Sequence, residues 1–167
     1  MRTLADKVAA PNVSGTVSHK LQQIIAGCET HQIDIVAIQE HRCATDELIH
    51  YEFLKPRWTF AYPNASSIYG VGLLYNKRIA DCLAIIDKIS ERIIMARLQG
   101  NPKTVIICAY APTEATKDES VKDKFYDDLE NAIRSIPPHT VIIAAGDFNA
   151  RIGKASHVTS PRVVGEH

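Results

Sequence analysis

The most constraining feature is a series of short, β-branched apolar runs in the middle of the chain whose connections are only a few residues long. Tyr69–Tyr75, Asp81–Ile86, Arg92–Leu98 and Thr104–Tyr110 read as strands. The last two are separated by the turn signal Asn101-Pro102. Parallel strands need a crossover of a dozen or more residues, so these neighbours are expected to pair largely antiparallel. A sheet built this way must bury at least one face against another layer.

Helical spacing supplies the covering layers. From about Thr16 to His31, Val17, Leu21, Ile24, Ile25 and Cys28 recur on one face. From about Lys117 to Ser135, Val121, Phe125, Leu129, Ala132, Ile133 and Ile136 do the same, and Pro137-Pro138 ends the helix. The outer face of that second helix is acidic and reads as solvated. Asp34–Gln39 and Thr140–Ala145 are further buried strands, with a strand near Trp58–Tyr62 and a short helix near Asp46–Tyr51. The order of elements favours α+β, a layered sandwich, over a doubly wound parallel sheet. No repeat or linker divides the 167 residues, so residues 1–167 are read as a single domain.

Charge narrows the partner classes. Nineteen Lys and Arg balance nineteen Asp and Glu, so any polyanion must be held by a local patch rather than by a broadly basic surface. No stretch approaches the roughly 20 apolar residues of a membrane span. The start lacks an apolar signal core. Cys28, Cys43, Cys82 and Cys108 show no metal-finger spacing, and Cys82 and Cys108 sit in apolar runs as small hydrophobes. The expectation is an intracellular protein, nuclear or cytoplasmic, with no membrane partner.

Three strands end in polar residues. Glu40 follows Ile38-Gln39; a carboxylate at the mouth of a buried strand needs a salt bridge, for instance with Arg42, or a cation. Tyr110 ends the Thr104 strand and either reaches a phosphate or caps the core. Asp147 and Asn149 stand two apart in Gly146-Asp147-Phe148-Asn149. They form an Asx turn, or, if the strand geometry continues, project together with Phe148 turned inward. Arg151 is close by.

Taken in order, Asp34–Arg42 (DIVAIQEHR), Ala109–Glu114 (AYAPTE) and Gly146–Gly153 (GDFNARIG) resemble the endonuclease/exonuclease/phosphatase superfamily. The Tyr69–Tyr75 strand and Glu91–Ile94 are similar to it too. Within it, the wording is most similar to endonuclease domains of RTE-type non-LTR retrotransposons. The resemblance implies a four-layered α/β/β/α sandwich and a phosphodiesterase that uses Mg²⁺ or Mn²⁺, with DNA as substrate. Carried over by motif, Glu40 is the metal ligand and Tyr110 contacts the scissile phosphate. Asp147 orients or activates the attacking water, and Asn149 organises the phosphate site. Arg42 and Arg151 are candidate phosphate contacts on DNA.

Against the family pattern, the chain is expected to lack the first strand and the C-terminal strands, with the Asp-His pair they carry. That predicts impaired catalysis and open sheet edges that favour self-association. The rival expectation is a non-catalytic remnant that binds protein or nucleic acid.

Overall fold

The computed structural model of the chain describes residues 8–9, 17–41, 49–51, 58–62 and 70–150. The elements, in order, are β1 (Val8–Ala9), α1 (Val17–His31), β2 (Ile35–Gln39), β3 (Ile49–Tyr51), β4 (Trp58–Ala61), β5 (Val71–Asn76), α2 (Lys77–Cys82), β6 (Leu83–Ser90), β7 (Ile93–Leu98), β8 (Thr104–Tyr110), α3 (Glu119–Arg134) and β9 (Val141–Asp147). They form a five-stranded sheet, β1-β2-β5-β4-β3, and a four-stranded sheet, β6-β7-β8-β9.

Period-two patterning decides which side chains join which layer. Ile35, Ala37, Val71, Leu73 and Tyr75 of the first sheet face Ile94, Ala96, Leu98, Ile106, Cys108 and Tyr110 of the second, making the central core. The alternate residues Val36, Ile38, Phe60 and Leu74 turn the other way and bury Leu21, Ile25 and Cys28 of α1. On the far side, Ile93, Met95, Val105 and Ile107 bury Phe125 of α3. The layers are therefore α/β/β/α, as expected. Each fully buried Leu, Ile or Phe contributes roughly 1.5–3 kcal/mol through the area it removes from water.

The neighbours β6, β7 and β8 pair antiparallel, as their short connections require. The strand before them goes elsewhere: β5 belongs to the first sheet, antiparallel to β2 and β4. The six-residue helix α2 makes that transfer. It occupies part of the stretch read as an Asp81–Ile86 strand, which starts instead at Leu83. Its start is fixed by Asn76, whose Oδ1 accepts from the backbone N–H groups of Arg78 and Ile79. Asn76 Nδ2 also donates to the buried Asp34 carboxylate at 2.8 Å. Cys82 consequently ends a helix and is only half-buried, whereas Cys28 and Cys108 are buried.

Two further readings change. Ile49–Tyr51 is a strand paired with Trp58–Phe60, where the tail of a short helix was expected; the rest of Asp46–Tyr51 and Cys43 lie outside the described residues. At the edge of the first sheet, Val8–Ala9 pairs parallel with Ile35–Val36, a strand that helical and strand periodicity had not revealed. The acidic face of α3 is solvated, as expected, and carries exposed pairs such as Arg134–Glu130 and Lys124–Asp128 one turn apart. Among the described residues no helix is long and apolar enough to cross a membrane.

Candidate active site

Strand ends from both sheets meet at one end of the sandwich. Tyr110 closes β8, and its parallel partner in register is Asp147, the last residue of β9. The chains stay together past the strands, since Ala111 N–H donates to Asp147 O at 2.8 Å. This pairing demands a glycine one step back. A Cβ at Gly146 would lie 1.9 Å from Ala109 O, so only glycine lets β9 approach β8 so closely.

From the first sheet comes Glu40, just beyond β2. Its φ of 52° turns the chain out of the strand. The Tyr110 hydroxyl donates to Glu40 Oε1 at 2.7 Å, joining residues 70 positions apart. Burial pushes the Tyr110 phenol up to about 12; the hydrogen bond to Glu40 and the negative charges of Glu40 and Asp147 push the same way, against Arg92. Tyr110 therefore stays a protonated donor at neutral pH. The hydrogen bond brings Glu40 to the Tyr110 hydroxyl, and the strand register sets Asp147 beside Tyr110. Hard, anionic oxygens of this kind suit a largely hydrated Mg²⁺, which needs one or two protein carboxylates. Among the described residues no group of three or more His, Cys, Asp or Glu side chains is gathered to hold a metal.

Of the two readings of the Asp147–Asn149 motif, the Asx turn is the one the structure adopts. Asn149 has a φ of 45°, so the extended geometry stops, and its N–H donates to Asp147 Oδ1 at 2.9 Å. The turn nevertheless leaves Asp147 and Asn149 lining one open cleft with Thr113 and Glu114, while Phe148 packs under α3, as expected. Asn149 Nδ2 donates to Ala111 O at 2.7 Å, which ties the loop after β9 to the loop after β8. Glu40, Tyr110, Asp147 and Asn149 are thus brought together. Arg42 and Arg151 lie outside the described residues.

Two supporting residues, Arg92 and His41, lie within the segments that carry the resemblance but had no role assigned from sequence. Arg92 begins the β7 segment and is 7% exposed. Its Nη1 donates to Tyr110 O at 3.3 Å, and its guanidinium carbon stands 5.6 Å from the centroid of the Tyr110 ring. The signal was available: a charged residue directly before the buried run Ile93–Ala96 must have a partner. His41, beside Glu40, is fully buried against Phe60 and Tyr62. Burial pulls its imidazole down to about 4, so it is neutral at physiological pH and adds no positive charge beside Glu40. Gly70 is needed there, because a Cβ would lie 2.4 Å from His41 Nε2.

Comparison with known proteins agrees with this architecture. A model described as the Endonuclease/Exonuclease/phosphatase family matches residues 12–158. Craniofacial development protein 2 of Bos taurus is 34% identical over 85 residues, 50% of this chain and 14% of that protein. Its counterpart in Tragulus javanicus is 33% identical over 85 residues, 50% of this chain and 15% of that protein. The chain thus matches only a small part of these relatives' length. Among solved structures, an AP endonuclease from Archaeoglobus fulgidus superposes with a TM-score of 0.62 at 14% identity, over 86% of this chain and 57% of that one. The 3′ phosphatase NExo from Neisseria, bound to a product DNA hairpin, gives 0.63 at 16% identity, over 89% and 59%. At such identities the likeness is one of fold.

Proposed function

Because the chain belongs to the endonuclease/exonuclease/phosphatase family, we propose that it is a metal-dependent phosphodiesterase domain that nicks DNA, derived from a non-LTR retrotransposon endonuclease or a domesticated relative. One observation carries the reading: the 2.7 Å contact between Tyr110 and Glu40, with Asp147 in register beside Tyr110, gathers residues from three separate motifs at one strand-end cluster. The retrotransposon origin rests on the wording of Asp34–Arg42 and Gly146–Gly153 and on the 85-residue likeness to craniofacial development protein 2.

A phosphodiester is a stable anion, so its hydrolysis needs an oriented water and neutralised charge on the phosphoryl and departing oxygens. Glu40, with Asp147 near it, would hold Mg²⁺ or Mn²⁺; when bound, such an ion supplies Lewis-acid neutralisation of that charge. The Asp147 carboxylate would accept a proton of the attacking water as the new P–O bond forms and the P–O bond to the departing sugar oxygen breaks, that oxygen taking its proton from solvent. The Tyr110 hydroxyl, with its single proton, would turn from Glu40 to anionic oxygen when the phosphate binds, and Asn149 offers the amide N–H that is not given to Ala111 O. Arg92 fixes Tyr110 from behind and acts as a positioning residue. Arg42 and Arg151 contact flanking phosphates in this proposal.

The second reading is a module that binds protein or nucleic acid without cutting. Titration of the chain with Mg²⁺ and Mn²⁺ separates them. The phosphodiesterase reading requires saturable binding that Glu40→Gln weakens at least tenfold; no binding, or binding indifferent to that change, favours the second. Self-association through β9, which among the described residues pairs with β8 alone and carries Val141 and Ile142 at 43% and 44% exposure, belongs to the same proposal.

A further inference from the structure

Away from the candidate active site, at the other end of the second sheet, the strands begin and end around a cleft of about 480 Å³. Tyr110 and Thr104 are opposite ends of β8, so the two places are separated by roughly 20 Å at the usual strand rise. Leu98, Val105 and Pro137 give the cleft apolar walls, and Arg97 and Lys103 bring two cations to it. The Arg97 guanidinium is pre-positioned: its Nε donates to Asp87 Oδ2 at 2.6 Å and its Nη2 to Ser135 Oγ at 2.8 Å. Lys103 is exposed, and its ammonium makes no ion pair among the described residues. Thr140, which also lines the cleft, has a buried hydroxyl with no hydrogen-bond partner among the described residues.

These features combine into a recognisable chemistry. Clefts of about 300–1,000 Å³ with apolar walls and a few convergent polar groups are the usual form of small-molecule sites. Asp87 compensates Arg97, and the ammonium of Lys103 is left over. A buried hydroxyl without a partner is costly and is relieved by an acceptor. A nucleic-acid backbone would call for a row of cations in place of the apolar walls. We propose that this cleft binds a small organic carboxylate with an apolar body, its charge on Lys103 and its body against Leu98, Val105 and Pro137.

The test is a titration of the full chain with 4-phenylbutyrate and, separately, with the neutral 4-phenylbutanamide, followed through backbone amide resonances. The expected result is saturable shifts at Leu98, Gln99, Lys103 and Thr140 with the carboxylate, and binding of the neutral amide at least threefold weaker. Lys103→Met keeps the aliphatic stem and removes the charge. It should weaken the carboxylate about threefold to fivefold, as for a partly exposed charge pair, and leave the amide unchanged. Thr140→Val, which keeps the shape, should weaken the carboxylate as well. Absence of saturable shifts, equal affinity for both probes, or indifference to Lys103→Met would overturn the proposal.

Discussion

At the scale of single residues, the Tyr110–Glu40 contact makes the sharpest demand. Tyr110→Phe removes the hydroxyl that holds Glu40 and faces the phosphate, while the ring stays packed over Arg92. Under the proposed mechanism it lowers single-turnover cleavage about 10²-fold or more, with little change in unfolding midpoint. Wild-type rates in Tyr110→Phe would remove the phenol from the mechanism. The thiols report on burial. Burial raises Cys108 from 9.0 to about 11, only partly offset by hydrogen bonds from Gln39 and to backbone. Because the folded value is the higher one, this contribution is intact below pH 9 and is lost as pH rises towards 11, up to about 3 kcal/mol. Urea unfolding from pH 8 to 11 should show the decline, and Cys108→Ala should lessen it, with buried Cys28, also raised to about 11, supplying a further part. The identities of Glu40, Tyr110, Asp147 and Asn149 were legible as polar residues ending apolar runs. Their mutual geometry was not, because Glu40 stands 70 positions from Tyr110 and Asn149 stands 38 from Ala111, and local spacing carries no trace of such contacts. Arg92 read only as the start of a strand and part of Glu91–Ile94, because its partner Tyr110 is 18 positions away.

At the scale of elements, strands and long helices followed periodicity, and the short pieces did not. β8 runs from Thr104 to Tyr110 as read, since seven consecutive buried residues leave little room for another register. The helix α2 was missed because six residues span under two turns and show no amphipathic repeat; its sign was the cap residue Asn76. Asn76→Ala should cost about 1–3 kcal/mol, from the lost cap and from the hydrogen bond withdrawn from Asp34. A stability change under 0.5 kcal/mol in chemical denaturation would contradict this account of how the chain leaves the first sheet. The parallel β8–β9 pair gives a second check. Gly146→Ala forces a methyl against Ala109 O and should destabilise by roughly 1–3 kcal/mol, moving Asp147 away from Tyr110.

At the scale of the molecule, two sheets and their covering helices set a shared strand-end platform, and the candidate site consists of what projects from it. The layer architecture was legible because apolar alternation separates an inner from an outer face on every central strand. Sheet membership was harder: strands adjacent in sequence, β5 and β6, fall in different sheets, and only tertiary packing decides that. The second sheet also ends in β9, whose Val141–Ala145 stretch carries no charge and no proline to discourage pairing. The proposed self-association through β9 predicts a sedimentation mass that rises with concentration and that Ile142→Lys lowers; a mass that does not change with concentration or with the substitution would contradict it. The central claim, a phosphodiesterase centre built on Glu40, Tyr110, Asp147 and Asn149, is tested most directly by nicking of supercoiled plasmid. The assay is run with Mg²⁺ and with Mn²⁺, beside Asp147→Ala and Asn149→Ala of verified fold. The account predicts metal-dependent nicking that both substitutions abolish. Folded wild type that leaves the plasmid intact, or variants that nick as well as wild type, would contradict it.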